Sequence, residues 1–123
     1  MRDNRSIKEI PLVHQELTIK HVFPDSTIKR CANKSLIWVG QLRPTPLSKL
    51  YSIKIILEKG KVEVFIIEPV KLERYPGKIF LPHVYSTPKQ KLCLYFPDGK
   101  EWNNGKLIVD TIIPWASEWL YFY

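Results

Sequence analysis

The sequence predicts an α+β fold, and three observations carry that expectation. Apolar residues recur at helical spacing near both ends of the chain, strand-like runs joined by short turns fill residues 27–67, and a proline-rich stretch follows them. The expected architecture is an N-terminal helix, an antiparallel meander sheet, a proline-rich segment and a C-terminal helix.

Each element has its own warrant. From Ser6 to about His21 the residues Ile7, Ile10, Val13, Leu17 and Val22 recur every three to four positions, as on the apolar face of a helix. Pro11 sits inside that run or marks the start of the helix, where a proline in the first turn loses nothing. Phe23-Pro24-Asp25-Ser26 ends it. Strands are expected at Thr27–Cys31, Ser35–Leu42, Tyr51–Leu57 and Val62–Ile67, the last showing the alternation of a half-buried strand. Short turns between consecutive strands imply antiparallel pairing. Pro69, Pro76, Pro82, Pro88 and Pro97 then leave little room for regular structure and pin the chain in an extended form. In the final segment Asp110 is expected to cap a helix with Pro114 near its first turn, and Ile112, Trp115 and Trp119 form a stripe. The closing Leu120-Tyr121-Phe122-Tyr123 needs a partner surface, so the natural chain is expected to continue past it.

At 123 residues, without internal repeat or linker, the chain suits a single domain spanning 1–123. No apolar run approaches the about 18 residues of a membrane span, and no secretory signal opens the sequence. A cytoplasmic protein with no membrane partner is the expectation. The net charge is +7, but the lysines and arginines are scattered, which fits a solvated basic surface better than a nucleic-acid interface. His14, His21 and His83 with Cys31 and Cys93 make no metal-binding spacing, and no glycine pattern cradles phosphate; neither metal nor cofactor is expected. Cys31, in a strand-like run, reads as an inert core thiol.

The segment His83-Val84-Tyr85-Ser86-Thr87-Pro88-Lys89-Gln90-Lys91-Leu92-Cys93-Leu94-Tyr95, continuing to Trp102, carries the chemistry. It resembles the active-site region of ubiquitin-conjugating enzymes. In that family a His-Pro-Asn motif begins ten residues before the active-site cysteine, a leucine follows the cysteine and a tryptophan lies eight or so residues on. Here His83 stands ten residues before Cys93, Leu94 follows it and Trp102 lies nine beyond. Tyr75-Pro76 and Pro82 also precede the histidine as the family's prolines do. Pro82-His83-Val84-Tyr85, Leu92-Cys93-Leu94-Tyr95 and Ile113-Pro114-Trp115 look more narrowly like the divergent bacterial members found in cyclic-oligonucleotide antiphage (CBASS) operons.

The resemblance implies a ubiquitin-conjugating-enzyme-like fold and a cysteine-dependent transferase of antiviral defence. Cys93 would accept the C-terminal carboxyl group of a partner protein as a thioester and pass it to an amine. The partner would be a cGAS-like nucleotidyltransferase or a ubiquitin-like protein, with an activating enzyme upstream. His83 is assigned first a structural role in the loop. Tyr85 occupies the place of the family's asparagine, and its hydroxyl can donate to an oxyanion; Val84 replaces the proline. Lys89 and Lys91 would favour the thiolate electrostatically. Asp98-Gly99 reads as a turn, and Trp102, Trp115 and Trp119 as core or interface aromatics. A non-catalytic relative that binds a partner protein through the same fold is the alternative, and a basic nucleic-acid-binding domain ranks last.

Overall fold

The computed structural model describes residues 8–32, 34–73 and 81–123. Among these, an antiparallel sheet is formed by β1 (Thr27–Cys31), β2 (Ser35–Leu42), β3 (Tyr51–Glu58), β4 (Lys61–Glu68), β5 (Val84–Ser86) and β6 (Lys91–Leu92). Their spatial order is β1-β2-β3-β4-β6-β5. Helix α1 (Leu12–Val22) precedes the sheet, and a single 3-10 turn (Ile108–Asp110) leads into helix α2 (Ile112–Phe122). The α+β class and the order N-terminal helix, antiparallel sheet, C-terminal helix are thus as expected.

Alternation decides which face of the sheet is covered. On β2, Leu36, Trp38 and Leu42 point inward and are buried; on β3, Ile53, Ile55 and Leu57 do the same; on β4, Val64 and Ile66. The register brings these into rows, Leu36–Leu57–Val62 and Trp38–Ile55–Val64, so that each inward residue meets another across the ladder. Each such side chain contributes about 1.5–3 kcal/mol on leaving water. The row through Gly40, Ile53 and Ile66 works differently. The Trp38 indole lies over residue 40, where a Cβ would stand 2.1 Å from the ring. Only glycine leaves space for it.

Both helices add to the same core, through Ile19 from α1 and Ile112, Ile113, Ala116 and Leu120 from α2. Helix α1 begins directly after Pro11, whose carbonyl accepts the first N–H groups, those of His14 (2.9 Å) and Gln15 (3.1 Å). The stripe expected on this helix is the wrong face. Val13, Leu17 and Val22 are exposed, and Gln15 and Ile19 are turned inward; Ile7 lies outside the described residues. Gln15 earns its place by its amide, which donates to the Lys106 carbonyl and accepts from the Ile108 N–H, both at 2.9 Å. A buried polar side chain fully bonded to backbone is tolerated, and apolar periodicity cannot see it.

Two further expectations are corrected. Asp110 does not cap α2. It closes the 3-10 turn, and Thr111 is the residue flanking the helix. Cys31 is exposed at the end of edge strand β1, not buried in the core.

The proline-rich segment holds more order than expected. β5 and β6 extend the sheet past β4, with Phe65 opposite Lys91 and with Val84 and Ser86 opposite Leu92 and Lys91. So short a pair of strands is held by side chains. Gln90, buried and at φ +50°, accepts from the Leu72 N–H at 2.6 Å and donates to the Ile66 and Pro69 carbonyls at 3.0 Å each. Buried Thr87 accepts the Leu81 N–H at 3.1 Å. These bonds supply the backbone partners that a longer ladder would have given.

Candidate active site

Cys93 follows β6 directly and is half-buried. Its N–H donates to the His83 carbonyl at 3.0 Å, and the same oxygen accepts the indole N–H of Trp119 at 3.3 Å. His83 thereby holds the loop through its main-chain carbonyl, not through its imidazole. The residue sits at φ +47°, in the left-handed region, which costs a non-glycine residue of order 1–3 kcal/mol unless its surroundings hold it there. The two bonds to its carbonyl do so. The imidazole is exposed and bonds no described side chain. The Tyr75-Pro76 pair lies outside the described residues.

Tyr85 sits at a strand irregularity between β5 and β6. Val84 pairs with Leu92 and Ser86 with Lys91, so Tyr85 is an extra residue with no opposite number. Such bulges re-aim a side chain. A side-chain hydrogen bond to Cys93 is the first cause that raises the phenol above its ordinary 10.0, followed by desolvation. The hydroxyl therefore stays protonated and available as a donor beside the sulfur. Tyr95 is raised as well, chiefly by burial; its hydroxyl is 3.4 Å from the Val62 carbonyl. Its ring lies 6.0 Å from that of Trp102 and 6.4 Å from that of Trp115.

The expected electrostatic role of the lysines changes form. The Lys91 ammonium is bound to Glu63 at 2.6 Å and stands 5.5 Å from the centre of the Tyr85 ring. Its charge is committed to a carboxylate on β4. The Lys89 side chain is exposed, and its backbone N–H donates to Ser86 Oγ at 3.3 Å. Asp98 forms the expected turn, accepting the Lys100 N–H at 2.9 Å, with Gly99 at φ +81°. Trp102 is a core residue, buried to 2 % exposure.

Beside Cys93 lies a groove of about 590 Å³, open to solvent. Pro82, His83, Leu94, Trp115, Trp119 and Phe122 give it largely apolar walls, and Glu101 and Glu118 are its charged residues. Glu101 Oε1 also accepts the Phe96 N–H at 2.8 Å. On a chain of net charge +7 this is a locally acidic, aromatic trough ending at a thiol. Trp115 and Trp119 are half-buried, packing against the core and lining this groove. Glu63, Glu101 and Glu118 gave no signal in the sequence, because only the fold brings the first to Lys91 and the other two to the groove at residue 93.

Chemically, the arrangement offers a nucleophile with solvent access, a neutral hydroxyl donor that interacts with it, and an adjoining open groove with largely apolar walls. Among the described residues no set of three or more His, Cys, Asp or Glu side chains could hold a metal ion, and no helix is long and apolar enough to cross a membrane. Comparison with curated proteins finds no match. A family model described as Type II CBASS E2 protein matches residues 15–123, a span that runs from the buried glutamine of α1 through Cys93 to the end of α2; the chain belongs to that family.

Proposed function

We propose that this protein is an acyl carrier of the ubiquitin-conjugating type, holding the C-terminal acyl group of a partner protein as a thioester on Cys93. Membership of the family gives it an E2-like role in antiphage defence. The observation that carries the finer reading is a half-buried Cys93 that lines the aromatic groove, with the protonated Tyr85 hydroxyl interacting with its thiol from outside that groove. The element order, from helix through meander to cysteine loop and helix, supports a ubiquitin-conjugating-enzyme-like domain over 1–123.

In charging, the Cys93 sulfur bonds the carbonyl carbon of an upstream thioester and the C–S bond to the donor cysteine breaks. The thiol proton is exchanged through solvent for the one the departing thiolate takes up. In transfer, an amine nitrogen bonds the same carbon, the C–S bond to Cys93 breaks, and the amine gives one proton to solvent. Both steps pass through an oxyanion, to which the Tyr85 hydroxyl would donate. The acyl group's tail would lie along the groove. A cGAS-like nucleotidyltransferase is the partner that the operon setting of the family favours, with a ubiquitin-like protein second and an activating enzyme upstream. The bacterial cytoplasm is where these would meet.

The test is incubation with an activating enzyme and each candidate partner, read by intact mass. A reductant-sensitive adduct is expected with the wild type. Cys93→Ala should form none, and Cys93→Ser should form one that resists reductant. An adduct on Cys93→Ala equal to that of the wild type overturns the carrier reading. Tyr85 in the place of asparagine favours a second reading, a partner-binding relative without catalysis. It predicts a stable complex with the partner and no adduct under any of these conditions.

A further inference from the structure

The outer face of the sheet carries a row of alternating cations and rings that ends at the cysteine. Lys54 on β3 is opposite Phe65 on β4, with its ammonium 5.9 Å from the ring centre. Phe65 is opposite Lys91 on β6. Lys91 in turn stands 5.5 Å from the centre of the Tyr85 ring. Glu63, two residues before Phe65 and so on the same face of β4, reaches diagonally to the Lys91 ammonium at 2.6 Å. Lys91 is half-buried, which strengthens both of its contacts relative to those of a lysine in water.

Tyr85 needs such a holder. As the unpaired residue of a bulge it has no cross-strand neighbour of its own, and it is 57 % exposed. A tyrosine in that setting samples several rotamers. What restrains the ring on its sheet side is the ammonium, and what restrains the ammonium is Glu63. We infer that Lys91, anchored by Glu63, is a positioning residue that holds the Tyr85 hydroxyl beside Cys93. The inference deepens the acyl-carrier reading, since the hydroxyl it fixes is the donor of that chemistry. It is also a statement about the thiol alone, and can be tested where no thioester is ever formed.

A double-mutant cycle on Cys93 alkylation tests it, because coupling between two sites shows as non-additivity. The rate with iodoacetamide is measured in a Cys31→Ser background, since Cys31 is exposed and would react. Tyr85→Phe is expected to slow alkylation by roughly tenfold, the size expected for loss of a hydrogen bond to a charged group. In the Lys91→Met background the same change should have an effect of less than about twofold, because the hydroxyl is no longer held in place. Lys91→Arg keeps a cation over the ring and a partner for Glu63, and should restore the Tyr85 effect. Lys89→Met, which removes an equal charge two residues away in sequence, should leave it intact. Thermal melts of each variant confirm folding. An equal Tyr85→Phe effect with and without Lys91 overturns the inference, as does a Tyr85→Phe effect of less than about twofold in the otherwise unaltered site. Failure of thioester formation with these results intact would reject the carrier reading and leave the positioning role standing.

Discussion

The two halves of the sheet are built by different means. From β1 to β4 the strands are five to eight residues long and paired along most of their length, and alternating side chains of one face fill the core. From β4 to β5 the strands shrink to two and three residues, and buried side chains take over the work of the ladder. Gln90 binds three backbone groups and Thr87 a fourth, and the His83 carbonyl accepts two donors. Regular pairing makes a strong sheet but offers only two directions for a side chain. The irregular half gives up cooperativity and in return can turn Tyr85 and Cys93 toward one another.

Breaking the irregular half at its centre should have the largest effect. Gln90→Ala leaves the Leu72 N–H and the Ile66 and Pro69 carbonyls without their partner, at about 1–3 kcal/mol for each group that stays buried. A total loss of about 3–5 kcal/mol is expected in denaturant melts. Hydrogen exchange should quicken first around residues 81–93, and Cys93 labelling should rise while β1–β3 remain protected. Uniform loss of protection would mean that the two halves fold as one unit.

The regular half should respond in the opposite way. Gly40→Ala places a methyl group 2.1 Å from the Trp38 ring and forces the indole or the strand aside. About 2–3 kcal/mol of global stability should be lost. Below the transition, Cys93 labelling should match that of the wild type, and a change there would show that core packing sets the thiol's surroundings.

A third and smaller contrast is in pH. Both tyrosines with raised values, Tyr85 and Tyr95, lie in the irregular half. Tyr85 is raised first by its bond to Cys93 and Tyr95 first by burial. A group whose folded value exceeds its unfolded one stabilises fully below the unfolded value, and that contribution is lost as pH rises through the folded value. Stability should therefore fall above 10.0 by an amount that Tyr85→Phe and Tyr95→Phe each reduce. Equal alkaline profiles for all three proteins would remove the tyrosines as its source.

Legibility in the sequence follows the same divide. Thr27–Cys31 and Ser35–Leu42 were readable to the residue, and the next two strands to within one residue at either end, because alternation over five or more positions is a strong signal. A strand of two or three residues has no period to detect, so β5 and β6 were not visible. The bulge at Tyr85 and the diagonal from Glu63 to Lys91 exist only once the register is known. Cys93, His83 and Tyr85 could be singled out because their spacing matches a family pattern. That pattern did not reveal that His83 acts through its carbonyl. Helix α1 misled for a related reason: its stripe of Val13 and Leu17 is exposed, and a glutamine faces inward instead.

That glutamine has a consequence for how the chain assembles. Its bonds to Lys106 and Ile108 span 91 and 93 positions of sequence. Contacts so distant require most of the chain's loop entropy to be given up before they form. Helix α1 therefore acquires the buried partners of Gln15 only after the strands and the cysteine loop have been made. During synthesis α1 waits as an isolated helix of eleven residues, too short to be stable alone. The meander can close from local contacts, whereas the Gln15 bonds that lock α1 to the distant segment are among the last to form.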